Sequence, residues 1–139
     1  MYKQTDWYGC YREGWTGILH PDAFCHPAKV ARGLARRIYQ HLVDSGYLHE
    51  GDTVIDPFAG VGGFALHAMQ HGCHWIGVEL EEKFVDLGNQ NIELWLATYA
   101  PHFPRWGSAV LIRGDSRNLV QIIGEDTEWC TCDDDQDMV

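Results

Sequence analysis

The feature that most constrains the fold of this chain is a glycine-rich stretch, VIDPFAGVGG, at residues 54–63. Two β-branched residues lead into an acid and a proline, and three glycines follow, at positions 60, 62 and 63. Glycine adopts positive φ at no steric cost and lets a backbone approach a ligand closely. The stretch therefore predicts a buried strand, a tight turn and the start of a helix, an arrangement that binds ligands in open α/β sheets.

The rest of the chain alternates between strand-like and helix-like segments. Apolar residues recur at helical spacing between apolar runs short enough to be buried strands. The predicted strands are 52–58, 74–80 and 108–115, and the predicted helices are 27–45, 62–71, 81–100 and a turn at 118–123, the first one starting at Pro27. Such alternation is typical of parallel βαβ units. We therefore predict an α/β fold with a partial parallel sheet of about three to four strands and flanking helices.

Charge and composition divide the 139 residues into three regions: an aromatic arm at 1–26, a ligand-binding domain at 27–124 and an acidic tail at 125–139. The tail holds seven of the 20 acids and no Lys or Arg, so it carries most of the net charge of −10. A chain with this charge has no general attraction for DNA, and any contact needs a local basic patch. We predict no membrane segment and, from five irregularly spaced cysteines, a reducing cytoplasmic setting.

Acidic residues end all three predicted strands. Glu79 follows Gly60 by 19 residues, and a carboxylate at that position can accept hydrogen bonds from ribose hydroxyls. Asp115 ends the third strand, where it would meet a base edge, and Asp56 could bind a ligand ammonium group. An ordinary tight turn and a phosphate-binding turn are the alternatives. The second lacks a Gly-Lys-Ser/Thr sequence, and Asp56 would repel a pyrophosphate.

Four segments, in order, resemble one family. HPAK at 26–29, DPFAGVGG at 56–63, GVEL at 77–80 and GDSRNL at 114–119 are similar to motifs X, I, II and III of the S-adenosylmethionine-dependent amino-methyltransferases of DNA, the N6-adenine and N4-cytosine class. The resemblance covers about residues 20–120. It implies a Rossmann-like methyltransferase fold, S-adenosylmethionine as cofactor and a location in the cytoplasm of a bacterial or phage-infected cell.

The resemblance also implies roles for individual residues. The turn from Asp56 through Phe58 to Gly62 would cradle the methionine end of the cofactor, Glu79 would hold the ribose, and Asp115 would contact adenine. The segment 26–29 would close the pocket. The implied cofactor-binding residues are His26, Pro27, Lys29, Asp56, Pro57, Phe58, Ala59, Gly60, Gly62, Glu79, Leu80, Asp115 and Ser116.

One motif of that family does not occur in this sequence. Its catalytic tetrapeptide, Asp, Asn or Ser followed by Pro-Pro and an aromatic residue, holds the flipped target base. No two of the five prolines here are adjacent, and TEWCTCDDDQDMV at 127–139 takes the place where the motif is expected. The sequence therefore resembles the cofactor-binding half alone, with EWCTC as a candidate further strand. We assign no catalytic residue and expect a homodimer or a protein partner to complete the sheet.

Two other interpretations of the chain stay open. One is a catalytically inactive binding protein, regulatory or a phage-type inhibitor, whose acidic tail mimics DNA. The other is a truncated remnant. The basic cluster of Lys29, Arg32, Arg36 and Arg37 would contact DNA phosphates or, as we favour, form the solvated face of a helix.

The arm carries two weaker signals. Its aromatic residues could stack on a base, but covering the core is the favoured interpretation; they are Trp7, Tyr8, Tyr11 and Trp15. Its cysteines and histidines fit no common zinc spacing, so we predict no metal site; they are Cys10, His20, Cys25 and His26.

Overall fold

The computed structural model describes residues 6–26 and 29–126 of the chain. Three parallel strands form one sheet in the order β1-β2-β3, with β1 at Thr53–Asp56, β2 at His74–Glu79 and β3 at Ser108–Arg113. Helices flank this sheet, which confirms the predicted α/β fold with a partial Rossmann-like sheet. The register aligns the last residue of β1, Asp56, with Gly77 of β2 and aligns Glu79 with Arg113 of β3. The carboxyl ends of all three strands therefore lie along one edge.

In the part of the chain that the structure describes, four α-helices connect and cover these strands. They are α1 (Arg32–Asp44), α2 (Ala65–Gln70), α3 (Glu82–Thr98) and α4 (Leu119–Asp126). Short 3₁₀ turns lie at Pro21–Cys25, Ala100–His102 and Ser116–Asn118. Within the described ranges, no helix has the length and apolar character needed to cross a bilayer.

The predicted starts of two helices are wrong. Helix α1 begins at Arg32, because the carbonyl of Val30 accepts a hydrogen bond of 2.7 Å from the indole N–H of Trp15 and Ala31 is extended, with ψ of 130°. Helix α2 begins at Ala65, because residues 60–64 form a tight turn whose last bond runs from the Ala65 N–H to the Gly62 carbonyl.

The main hydrophobic cluster lies on one face of the sheet. Trp75 of β2 and Leu111 of β3 are buried there beneath helices α2 and α3. The arm contributes to the same core through Trp15, Leu19 and Ala23, all of them buried. The arm therefore forms part of the structure that supports the turn after β1.

A buried amide ties the arm to the glycine turn. Asn91 of α3 is fully buried; its Oδ1 accepts a hydrogen bond of 2.7 Å from the His20 N–H, and its Nδ2 donates one of 2.9 Å to the Val61 carbonyl. Pro27, the candidate strand EWCTC and residues 127–139 of the acidic tail lie outside the described residues.

Candidate functional site

The glycine turn and the end of β2 are held together by one carboxylate. Gly60 and Gly62 have φ of +56° and +83°, a conformation that side chains with a Cβ rarely adopt. The Gly60 N–H donates a hydrogen bond of 2.9 Å to Oε2 of Glu79, and the Glu81 N–H donates one of 3.1 Å to Oε1. These bonds fix the orientation of the Glu79 carboxylate, and its remaining lone pairs stay available to a ligand.

A cavity of about 300 Å³ lies on one side of this carboxylate. That volume is at the lower end of the range for small-molecule sites. A Cβ added at Gly60 would lie 3.3 Å from Nε2 of His26, so the missing side chain keeps the cavity open beside this histidine. Five of the sequence-predicted residues line it together with Glu79: His26, Lys29, Phe58, Ala59 and Gly60.

A second cavity, of about 180 Å³, lies on the other side of Glu79. The two cavities share Phe58 and Glu79 as lining residues. Phe58 is 81% exposed and Leu80 is 61% exposed, so two apolar side chains face solvent at this edge of the sheet. The other sequence-predicted residues that line the second cavity are Pro57, Asp115 and Ser116.

The carboxylate of Asp115 is occupied by its own neighbour. The backbone N–H and Nε of Arg117 donate to Oδ1 at 2.9 and 3.1 Å, and Nη2 of Arg117 donates to Oδ2 at 2.6 Å. These side-chain and backbone hydrogen bonds lower the pKa of Asp115 to about 2. A base amino group at this position would meet an ionised acceptor that is already shared with a guanidinium group.

Of the sequence-predicted residues that the structure describes, two line neither cavity. Asp56 lies at the end of β1, where its Oδ1 accepts a hydrogen bond of 3.0 Å from the Phe58 N–H and helps to shape the turn. Burial raises the pKa of Asp56, the Phe58 N–H opposes this, and the nearby Glu79 adds to it. Gly62 is buried behind the turn, with the backbone of Gly88 of α3 3.9 Å from the position that a Cβ would take.

Lys29 brings a positive charge to the wall of the first cavity. Its Nζ donates a hydrogen bond of 2.6 Å to the His26 carbonyl and lies 5.5 Å from the centre of the Phe24 ring. The His26 ring packs edge-on against Phe84 of α3, with 4.3 Å between centroids. The lining of the cavity therefore includes both a cation, Lys29, and the Glu79 carboxylate.

Sequence reasoning missed several lining residues of the first cavity. Trp15, Leu19, Val30 and Phe64 form its apolar wall. Phe64 comes directly after the last glycine of the turn, whereas Trp15 comes from the arm and reaches the cavity only through tertiary packing. No local pattern of residues signals that packing.

The basic cluster is largely committed to contacts within the chain. Arg32 and Arg36 both form ion pairs with Glu13 of the arm, and Arg32 lies 3.6 Å from that carboxylate. The guanidinium of Arg37 lies 5.4 Å from the centre of the Trp7 ring. Among residues 6–26 and 29–126 there is no group of three or more His, Cys, Asp or Glu side chains with the geometry of a metal site.

The chain is similar to known methyltransferases. A family model described as DNA methylase matches residues 5–90. The Type II methyltransferase M.BglI of Bacillus subtilis is 37% identical over 68 residues, which is 49% of this chain and 18% of that protein. The Orphan methyltransferase M.BamHII of Bacillus amyloliquefaciens is 32% identical over 74 residues, 53% of this chain and 26% of that protein.

A similarity to an archaeal protein covers a shorter stretch. The Putative ribosomal RNA large subunit methyltransferase MJ1649 of Methanocaldococcus jannaschii is 42% identical over 48 residues, 34% of this chain and 12% of that protein. The chain thus spans between 12% and 26% of the length of these three relatives.

Proposed function

The chain belongs to the DNA methylase family, and we propose that it binds S-adenosylmethionine across the two joined cavities for methyl transfer to the exocyclic amine of adenine or cytosine in DNA. One observation carries this proposal. The Glu79 carboxylate, held by two backbone N–H groups, lies between a larger cavity that contains Lys29 and a smaller one that contains Asp115. This order matches the order of amino acid, ribose and base in the cofactor.

The residues present fit that cofactor in charge and in shape. Carboxylates end β1 and β2 and follow β3, an arrangement that favours a cationic ligand such as a sulfonium ion. The glycine turn brings backbone rather than side chains against the larger cavity. The exposed Phe58 and Leu80 offer apolar surface against which a base can pack.

Each group then has a defined task. The carboxylate of Glu79 accepts hydrogen bonds from the ribose hydroxyls, and the ammonium of Lys29 faces the cofactor carboxylate. Asp115 accepts a hydrogen bond from the adenine amino group once Arg117 yields part of its contact. When bound, the cofactor supplies an electrophilic methyl group. The chain contributes chiefly position and exclusion of water, which methyl transfer needs more than a strong base.

The group that orients the target amine comes, in this proposal, from outside these 139 residues, because the sequence contains no Pro-Pro pair. DNA as substrate implies a cytoplasmic location in a bacterial or phage-infected cell. A catalytically silent regulator with the same pocket is the second candidate, and the same missing tetrapeptide favours it. A methyl-transfer assay on DNA, with the chain alone and with proteins captured from the native host, separates the two.

The free edge of β1 is where we propose that another strand pairs. Among the described strands β1 pairs with β2 alone, and Ile55 on it is 46% exposed. An apolar cavity of about 250 Å³ runs beside this edge, between β1 and α1. A second copy of the chain or a protein partner would cover both. A stable monomer at micromolar concentration in sedimentation would contradict the homodimer.

Calorimetry with S-adenosylmethionine tests the cofactor site. We expect Glu79→Gln to weaken binding by roughly 10- to 100-fold, because a hydrogen bond to a charged group contributes about 1.5–3 kcal/mol. Glu93→Gln is the matched control, since Glu93 is an exposed glutamate on α3 that lines neither cavity. Equal affinities of the two variants, with circular dichroism showing both folded, would refute the assignment of Glu79.

A further inference from the structure

The first part of the arm, residues 7–14, lies along helix α1. The Trp7 ring packs edge-on against His41 with 5.2 Å between centroids, and Glu13 pairs with Arg32. Between them Gly33 contacts the arm so closely that a Cβ there would lie 2.4 Å from the Cys10 carbonyl oxygen. The arm therefore has a fixed inner side, which faces the helix, and an outer side.

The aromatic residues of the arm divide between these two sides. Trp7 is half-buried against α1 and Trp15 is buried in the core. Tyr8 and Tyr11 are 88% and 82% exposed. The expectation that all four cover the core is therefore wrong for the two tyrosines, whose neighbours Trp7 and Cys10 take the inward positions. Their rings are open faces on which another flat group can stack.

A positively charged residue, Arg12, follows Tyr11 directly in the arm. The Arg12 N–H donates a hydrogen bond of 3.1 Å to the Gly9 carbonyl and so closes a turn that contains Tyr11. Within the described part of the chain, neither Arg12 nor Arg37 has a carboxylate at ion-pair distance. Residues 6–41 contain five basic and three acidic side chains, the opposite balance to the whole protein. Arg37 also packs on the Trp7 ring. Exposed aromatic rings beside arginines without a carboxylate partner are the combination that binds single nucleic-acid strands.

This outer side lies close to the candidate cofactor site. Trp15 lines the first cavity, and the four residue-to-residue steps from Tyr11 to Trp15 span at most ~14 Å of chain. A strand whose target base reached the cavity would therefore have Tyr11 within about 14 Å of Trp15, a residue that lines the cavity.

We propose that the arm binds the DNA strand next to the target base, with Tyr8 and Tyr11 stacking on unpaired bases and Arg12 and Arg37 contacting phosphates. The inference rests on the proposed function for its choice of DNA. The proposed phosphate contacts do not use Arg32 and Arg36 of the basic cluster, because both of these arginines pair with Glu13.

Fluorescence anisotropy of a labelled single-stranded oligodeoxynucleotide tests this surface. We expect the double variant Tyr8→Ala/Tyr11→Ala to bind at least ~10-fold more weakly, since stacking contributes about 1–3 kcal/mol per base. Tyr8→Phe/Tyr11→Phe keeps the rings and should bind like the unchanged chain. Tyr47→Ala is the matched control, because Tyr47 is also 78% exposed but follows the end of α1.

The dependence of DNA affinity on salt concentration measures the contribution of Arg12. Arg12→Gln should weaken binding and reduce the slope of log affinity against log salt by about 0.7, the value for one phosphate contact on a single strand. An unchanged slope would overturn the phosphate contact.

Three results would overturn the proposal as a whole: no DNA binding by the unchanged chain, an equal loss in Tyr47→Ala, or tenfold tighter binding of an RNA of the same sequence. Calorimetry with S-adenosylmethionine on the same proteins separates the two proposals. We expect cofactor binding to be unchanged in the tyrosine variants. If the cofactor does not bind but DNA binding still depends on the tyrosines, the proposed function fails and the arm surface stands. If the cofactor binds and the tyrosines have no effect on DNA, only the arm surface fails.

Discussion

Replacing Asn91 by leucine should separate the arm from the glycine turn. The amide is fully buried and makes two hydrogen bonds, one with the His20 N–H and one with the Val61 carbonyl. Leucine has a similar size but no polar atom, so both backbone groups lose their partner. Each unpaired buried group costs about 1–3 kcal/mol, and the His20 group is the less buried of the two. We therefore expect a loss of about 3 kcal/mol, a large part of the stability of a typical domain.

Urea unfolding followed by circular dichroism measures this loss. The matched control is Gln90→Leu, which makes the same kind of change at the preceding, exposed position of α3. Because Val61 lines the first cavity, we also expect Asn91→Leu to weaken binding of S-adenosylmethionine in calorimetry. A destabilisation below ~1 kcal/mol, or one equal to that of Gln90→Leu, would refute the reasoning that this amide joins the two segments.

Two further predictions concern stability and the arm. His67 is 1% exposed and its burial lowers its pKa to about 4. In the unfolded chain His67 binds a proton below about pH 6.5, whereas in the folded chain it stays neutral down to about pH 4. The neutral imidazole therefore contributes fully to the free energy of unfolding above pH 6.5, and this contribution is lost as the pH falls towards 4. Between pH 7 and pH 4.5, the free energy of unfolding measured with urea should fall by ~2.5 kcal/mol less in His67→Phe than in the unchanged chain. Equal falls in the two proteins would contradict this prediction. Gly33→Ala should release the arm and speed trypsin cleavage after Arg12, because its Cβ would collide with the Cys10 carbonyl. If helix propensity alone acted, Gly33→Ala would stabilise the chain by up to ~1 kcal/mol and leave trypsin cleavage unchanged, and that result would contradict the prediction.

The sheet and the glycine turn were predictable because their signals are local. The apolar runs that end at Asp56 and Glu79, and the glycines between them, fix strands and a turn without help from distant residues. The start of α1 was not predictable, because the indole of Trp15 takes the Val30 carbonyl across 15 residues. Such a contact leaves no trace in residue spacing.

The site shows the same division. Motif positions include many of the residues that line the two cavities around Glu79, but Asp56 and Gly62 line neither, and the apolar wall that the arm supplies through Trp15 lies outside the motifs. The different exposures of Trp7 and Tyr8, adjacent in sequence, also depend on which side of the arm meets α1. Composition gave all four aromatic residues of the arm the same role, and only packing separates them.

A crystal structure of the chain with S-adenosylhomocysteine bound would test the central claim most directly. The account predicts the ribose hydroxyls within hydrogen-bond distance of the Glu79 carboxylate, the amino-acid end in the cavity that Lys29 lines, and the adenine beside Asp115. A nucleoside bound elsewhere on the chain, or one turned so that its adenine fills the larger cavity, would contradict the account.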